Sequence, residues 1–334
     1  MSTATKDAVE PRQEARRRDW RFAAKALASP YSGTTILLAA LVVYFAASSS
    51  EFLETSNILV ILGAAAAIGI VAIGQTFVVV SGGFDLSVSG TAPLAAVVFG
   101  KIANDGSGIV PALIVALAVG AAVGLANGLM ISRAGFNPLI ATLGTASITG
   151  GLAFVVSKGL TVIYEDRSTG FLAERSVGEI PNQVWVLLFV ACLTFVVLRY
   201  TTFGRSLYSL GGNWEASWLA GMRVNLLSTM VYVICGVTAA LGGIVIASQL
   251  LAADGQLASN YALLSIAAVI LGGGSLTGGE GGVVGTVIGV LALGVLTNGM
   301  ALLHVSSFYQ EMATGGVLLL AVGLGRIRQL VNVA

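Results

Sequence analysis

One acid stands where an acid is costly. Asp85 lies in Ser81-Gly82-Gly83-Phe84-Asp85-Leu86-Ser87-Val88-Ser89-Gly90, between two strongly apolar stretches. An ionisable group at bilayer depth costs roughly 3 kcal/mol unless it is paired or wetted. Two compatible readings stay open. Asp85, with Phe84 and Ser87, lines or gates a polar path; or Asp85 or Ser87 caps the helix that follows and satisfies its orphan amides. Gln75, Asn127, Gln249 and Asn298 are neutral amides set deep within apolar runs. They serve either as hydrogen-bonding partners between helices or as contacts for a hydroxylated solute, which exchanges hydrogen bonds without demanding charge.

Other chemistries find little support. His304 is the only histidine, and no His or Cys cluster stands at metal-ligand spacing. The Gly-x-x-x-x-Gly-Lys-Ser/Thr nucleotide cradle is missing, as is any plausible catalytic triad. Cys192 and Cys235 both sit in apolar segments and read as buried small hydrophobes rather than as a disulfide. A net charge of +1 gives no reason to expect a nucleic-acid partner.

The elements that must hold these residues are membrane helices. Of the 334 residues, 56% are hydrophobic and 10% charged, against roughly 25% charged in soluble domains. Apolar runs cover 33–50, 58–80, 90–103, 109–132, 138–157, 183–200, 226–250, 261–273, 282–303 and 309–325, most of them long enough to cross a bilayer as helices. The fold class is therefore an all-α integral membrane protein of about ten transmembrane helices. The third and eighth runs are short and abut Gly-rich breaks at 81–90 and 272–282. Irregular backbone is not tolerated against lipid, so the breaks should interrupt helices within the bundle or emerge at a membrane face.

Basic residues set the topology. Ten crossings leave both ends on one side, together with Arg133, Arg199, Arg205, Arg223, Arg326 and Arg328; the other side keeps Lys101, Lys158, Arg167 and Arg175. We therefore expect a cytoplasmic basic arm at 1–30 and a single transmembrane domain at 31–330. A periplasmic loop at 158–182 should form a cap. A cytoplasmic loop at 201–225 should carry a short amphipathic helix from Trp214 to Met222. The breaks echo one another, Gly82-Gly83 against Gly273-Gly274 and Leu86-Ser87 against Leu276-Thr277, as do Asn127-Gly128 and Asn298-Gly299. The spacings differ by about twenty residues, so duplication is a suspicion only.

Several motifs together resemble a known family. Ile68-Gly69-Ile70-Val71-Ala72-Ile73-Gly74-Gln75-Thr76-Phe77 followed by Gly82-Gly83-Phe84-Asp85-Leu86-Ser87-Val88 is similar to the signature of ribose-type ABC permeases, within the branched-chain amino acid and monosaccharide permease superfamily. Asn137-Pro138-Leu139-Ile140-Ala141-Thr142-Leu143-Gly144-Thr145, Thr202-Phe203-Gly204-Arg205, Gly211-Gly212-Asn213, Gly272-Gly273-Gly274-Ser275-Leu276-Thr277-Gly278-Gly279 and Asn298-Gly299 keep the family's order. Ser89-Gly90, Ser217 and Ala220 depart from it in small ways.

The resemblance implies a ten-helix transport subunit in a bacterial inner membrane, paired with a second permease copy as a homodimer or heterodimer. It implies a cytoplasmic ABC ATPase that carries the ATP and Mg, and a periplasmic sugar-binding protein that delivers the cargo. No catalytic residue, metal or cofactor is implied on this chain. The family's coupling segment falls on Gly212, Asn213, Trp214, Glu215, Ala216, Trp218 and Gly221, inside the loop that charge placement assigns to the cytoplasm. The expected cargo is a small sugar moved by alternating access. An ion-coupled carrier using Asp85, and an ABC permease for a nucleoside or branched-chain amino acid, are the alternatives; a non-transporting membrane scaffold is disfavoured by the paired breaks.

Overall fold

The computed structural model describes residues 31–175, 177–317, 319 and 323. The arm at 1–30, with Arg326 and Arg328, lies outside the described residues. The helices are α1 (Ser32–Ser48), α2 (Thr55–Val80), α3 (Val88–Ile102), α4 (Ile109–Ser132), α5 (Pro138–Ser157), α6 (Asn182–Tyr200), α7 (Thr202–Gly212), α8 (Trp214–Leu219), α9 (Val224–Leu250), α10 (Tyr261–Leu271) and α11 (Val283–Leu302). Residues 307–317 are helical again. Within the described residues, every expected apolar run falls on a helix. Six of these, α2, α4, α5, α6, α9 and α11, are long and apolar enough to cross a membrane. The molecule is an all-α membrane protein.

Helices α2 and α9 form the centre. Every residue of α2 from Gly69 to Val80 is buried, as is most of α9 between Val231 and Ser248. Around them the outer helices expose large apolar side chains, Ile140 and Val155 on α5 and Phe189 on α6 among them. That is the surface expected where the surrounding solvent is lipid. Lipid tails give apolar helices no hydrophobic reason to associate, so close packing has to supply it. The sequence meets this need with small residues. Gly120, Gly124 and Gly128 lie one turn apart on α4 and face Gly236, Tyr232 and Thr229 of α9, backbone against backbone. A Cβ on Gly124 would come 2.8 Å from both the Tyr232 carbonyl carbon and the Val233 Cα.

The two Gly-rich breaks end their preceding helices in the same way. Gly82 N–H donates to Val79 O and Gly83 N–H to Val78 O; Gly273 N–H donates to Ile270 O and Gly274 N–H to Val269 O, all at 2.9 Å. Gly82 and Gly273 have φ of 88° and 89°, a left-handed turn that a side chain would oppose. The echo noted in the sequence is thus an echo of backbone geometry. After each break the chain resumes as α3 or α11. With 15 and 11 residues, α3 and α10 reach only about 22 and 16 Å at 1.5 Å per residue, short of the roughly 30 Å hydrocarbon core.

The described residues of the 158–182 loop pack onto the helices. Val162–Ile163 (β1) pairs antiparallel with Ala252–Ala253 (β2), and the buried Tyr164 hydroxyl donates to Ala96 O of α3 at 2.9 Å. Asp166 accepts from Ser168 N–H at 2.9 Å and opens the 3-10 turn Arg167–Leu172; those bonds hold its carboxyl below the usual range.

Candidate functional site

A buried polar cluster gathers where α2, the first break, α4 and α9 meet. Asp85 is fully buried and is the only charged residue so placed among the described residues. Its Oδ1 accepts the Ser87 amide at 2.9 Å and the Ser87 hydroxyl at 2.5 Å, and Asn127 Nδ2 donates to Ser87 Oγ at 2.8 Å. From α9, Cys235 Sγ donates to Gln75 Oε1 at 3.3 Å. The Tyr232 hydroxyl covers Gly83, where a Cβ would approach it to 2.5 Å. Four polar atoms in this group have no partner: Asp85 Oδ2, Asn127 Oδ1, Gln75 Nε2 and the Tyr232 hydroxyl. Such an atom costs about 1–3 kcal/mol when left unsatisfied. Acceptors, an amide donor and a hydroxyl that can do either make a set suited to hydroxyl groups or water.

The cap expected at the start of α3 takes a different form. Ser87 occupies the N-cap position without a side-chain bond to the first-turn amides; instead Asp85 closes a turn onto Ser87 itself. Asp85 therefore serves the break rather than the helix.

A second feature lies three residues upstream. The C-terminal end of α7 packs backbone-to-backbone on both breaks at once. A Cβ on Gly211 would overlap Val80 O and come 2.6 Å from Gly279 N, while one on Gly278 would come 2.7 Å from Gly82 Cα. Gly279 N–H donates to Val80 O at 2.9 Å. Tyr208 of α7 donates its hydroxyl to Gly281 O at 2.8 Å, and its partial burial pushes its pKa up, which keeps the donor proton in place. Beyond this junction the Asn213 side chain accepts from Ala216 N–H at 2.9 Å and starts α8. That short helix leaves Trp214 and Trp218 52% and 58% exposed, and Gly221 turns the chain with φ 79°. The 201–225 segment is therefore more helical than its sequence suggests: α7 occupies 11 residues that were expected to be loop, and the helix expected at 214–222 is only Trp214–Leu219.

Residues 57–322 match the family model described as branched-chain amino acid transport system / permease component. The chain belongs to this permease family. It is 42% identical to the ribose import permease protein of Bacillus subtilis (strain 168), over 83% of this chain and 86% of the relative. To the ribose import permease protein of Escherichia coli (strain K12) it is 36% identical, over 81% and 86%. The L-arabinose transport system permease protein of the same strain is 40% identical, over 80% and 82%. No solved structure matches the chain. The resemblance drawn from the motifs is borne out.

In the permease the expected path residues divide into two places. Gln75, Asp85, Ser87 and Asn127 share the cluster. Phe84 flanks it, packed with Leu86 against Ile266 and Ile270 of α10. Asn298 is elsewhere: it exchanges hydrogen bonds with Asn57 at 2.9 and 3.1 Å, roughly 27 Å along α2 from Gln75 at 1.5 Å per residue. Gln249, expected to be similar, lies near Gln183 beside Gly63. The residues expected to couple, Gly212, Asn213, Trp214, Glu215, Ala216, Trp218 and Gly221, lie at the end of α7, along α8 and at the turn that follows it. Tyr232 and Cys235 are the cluster members that sequence reasoning missed, since a tyrosine and a cysteine in an apolar run read as packing. Cys192 is exposed, contrary to expectation; neither cysteine is in a disulfide.

Proposed function

We propose that the chain is the membrane-spanning subunit of an ABC importer for a small sugar, ribose-like or a related polyol, and that it works by alternating access. Family membership supports its working with a second permease copy, a cytoplasmic ATPase that holds ATP and Mg, and a periplasmic binding protein. It also supports a bacterial inner membrane, and the placement of the basic residues supports cytoplasmic termini. The 201–225 segment is the docking site of the ATPase, and the 158–182 loop faces the binding protein.

One observation carries the mechanism: the end of α7 touches both breaks through bare backbone at Gly211, Gly82 and Gly278. A displacement imposed on Trp214 and Trp218 by a closing ATPase pair therefore reaches both interruptions without passing through a flexible side chain. Three residues beyond Gly82 stands Asp85. As the breaks move, the unpartnered atoms of Asp85, Asn127, Gln75 and Tyr232 become available to hydroxyl groups of the solute.

The test is uptake into proteoliposomes holding the permease, ATPase and binding protein. Gly211→Ala should wedge the junction, and Trp218→Glu should weaken docking. Both should abolish at least nine-tenths of uptake while inserting normally, with ATPase stimulation lost for Trp218→Glu. Full uptake in both variants would overturn the coupling route. Uptake driven by an ion gradient with no ATPase present would instead favour an ion carrier built on Asp85.

A further inference from the structure

At one rim of the bundle, beside the coupling segment, lies an open cavity of about 320 Å³ whose walls include Arg133, Trp218, Met222, Arg223 and Leu226. Arg133 follows the last residue of α4 and Arg223 precedes the first of α9, and both side chains are exposed. No acid lines the cavity to balance them. The arginines are held together by packing beneath them. Ser132 and Thr229 share a hydrogen bond of 2.9 Å, and Gly128 rests on Thr229. Two like charges thus flank one opening, carried on helix ends that are tied to each other.

We propose that this cavity binds the phosphodiester headgroup of an anionic phospholipid. It lies where two helices long and apolar enough to span a bilayer terminate, and basic pockets between spanning helices are suited to acidic headgroups. The volume is at the small end of ligand pockets, enough for a headgroup and no more. The walls also provide for the rest of a lipid. Leu226 and Met230, one turn apart on α9 and 49% and 47% exposed, continue as an apolar track along which an acyl chain can lie. A free phosphate would use the arginines and leave that track bare. The assignment rests on membership of a membrane-embedded family; the cavity borders the proposed docking segment, so its test reads lipid binding and not uptake.

Native mass spectrometry of the purified full-length permease, titrated with phosphatidylglycerol or phosphatidylcholine, tests it. The unmodified protein should bind one phosphatidylglycerol that the Arg133→Gln/Arg223→Gln variant binds about thirty-fold more weakly, the loss of two basic contacts at roughly fivefold to sixfold each. Phosphatidylcholine binding should be the same in both, and Arg199→Gln, outside the cavity, should behave as the unmodified protein. Equal phosphatidylglycerol binding by the double variant overturns the proposal, as does complete displacement of the lipid by equimolar inorganic phosphate. A measurement on the unmodified protein guards against a folding defect. Phosphatidylglycerol, and not phosphatidylcholine, should shield Arg133 and Arg223 from phenylglyoxal, and equal modification in the two lipids overturns the site.

Discussion

Asp85 holds the first break with one carboxyl oxygen and leaves the other open to the buried cluster. One of its oxygens is occupied by Ser87, which in turn accepts from Asn127; the other is unpartnered. Asparagine keeps the acceptor that receives Ser87 and removes the charge, whereas alanine strands the Ser87 amide and hydroxyl. Asp85→Asn should therefore keep the apparent melting temperature in detergent close to that of the unmodified protein, and Asp85→Ala should cost about 1–3 kcal/mol. Equal melting of the two variants would show that the bonds to Ser87 contribute nothing. At this scale the sequence was informative about Asp85, because an acid between apolar runs is conspicuous. It was silent on Tyr232 and Cys235, whose polarity matters only because α9 brings them across from Gly83 and Gln75. Asn298 misled for a related reason: its partner, Asn57, is 241 residues away in the chain, and spacing along a sequence says nothing of such a pairing.

Among the elements, hydropathy placed the helices well and their modes of contact poorly. Runs expected to begin at 58 and 226 begin at Thr55 and Val224, differences of a turn or less, since termini fray into polar residues that hydropathy discounts. The helix α7 was missed because its buried face is only Gly204, Leu207 and Leu210, too few apolar positions in mixed company. Glycine content suggested close packing without saying which helices touch. The contact between α4 and α9 supplies the answer and a prediction. Gly124→Val must displace the Tyr232 carbonyl, so the variant should lose about 3 kcal/mol or fail to accumulate, in the range of severe overpacking. Gly144→Val, on α5 where no atom lies within 4 Å, should be tolerated. Matching expression and melting of the two variants in detergent would contradict the packing described here.

For the whole molecule, membrane character and family could be read from composition and motif order, because both are carried by many residues at once. Orientation is carried by few, chiefly Arg133, Arg199, Arg205 and Arg223 among the described residues, and it admits a direct check. A cysteine replacing Glu215, exposed on α8, should resist an impermeant thiol reagent added to intact cells and react in inverted vesicles. Labelling from outside would reverse the topology and remove the ATPase from reach of the coupling segment.

The glycine contacts of α4 and α9 also constrain any transport cycle. With carbonyls resting on Cα atoms at Gly120, Gly124 and Gly236, there are no rotamers to reset and no gap to absorb a relative shift. The two helices must then travel as a single rigid strut, leaving the interrupted α3 and α10 to supply the give.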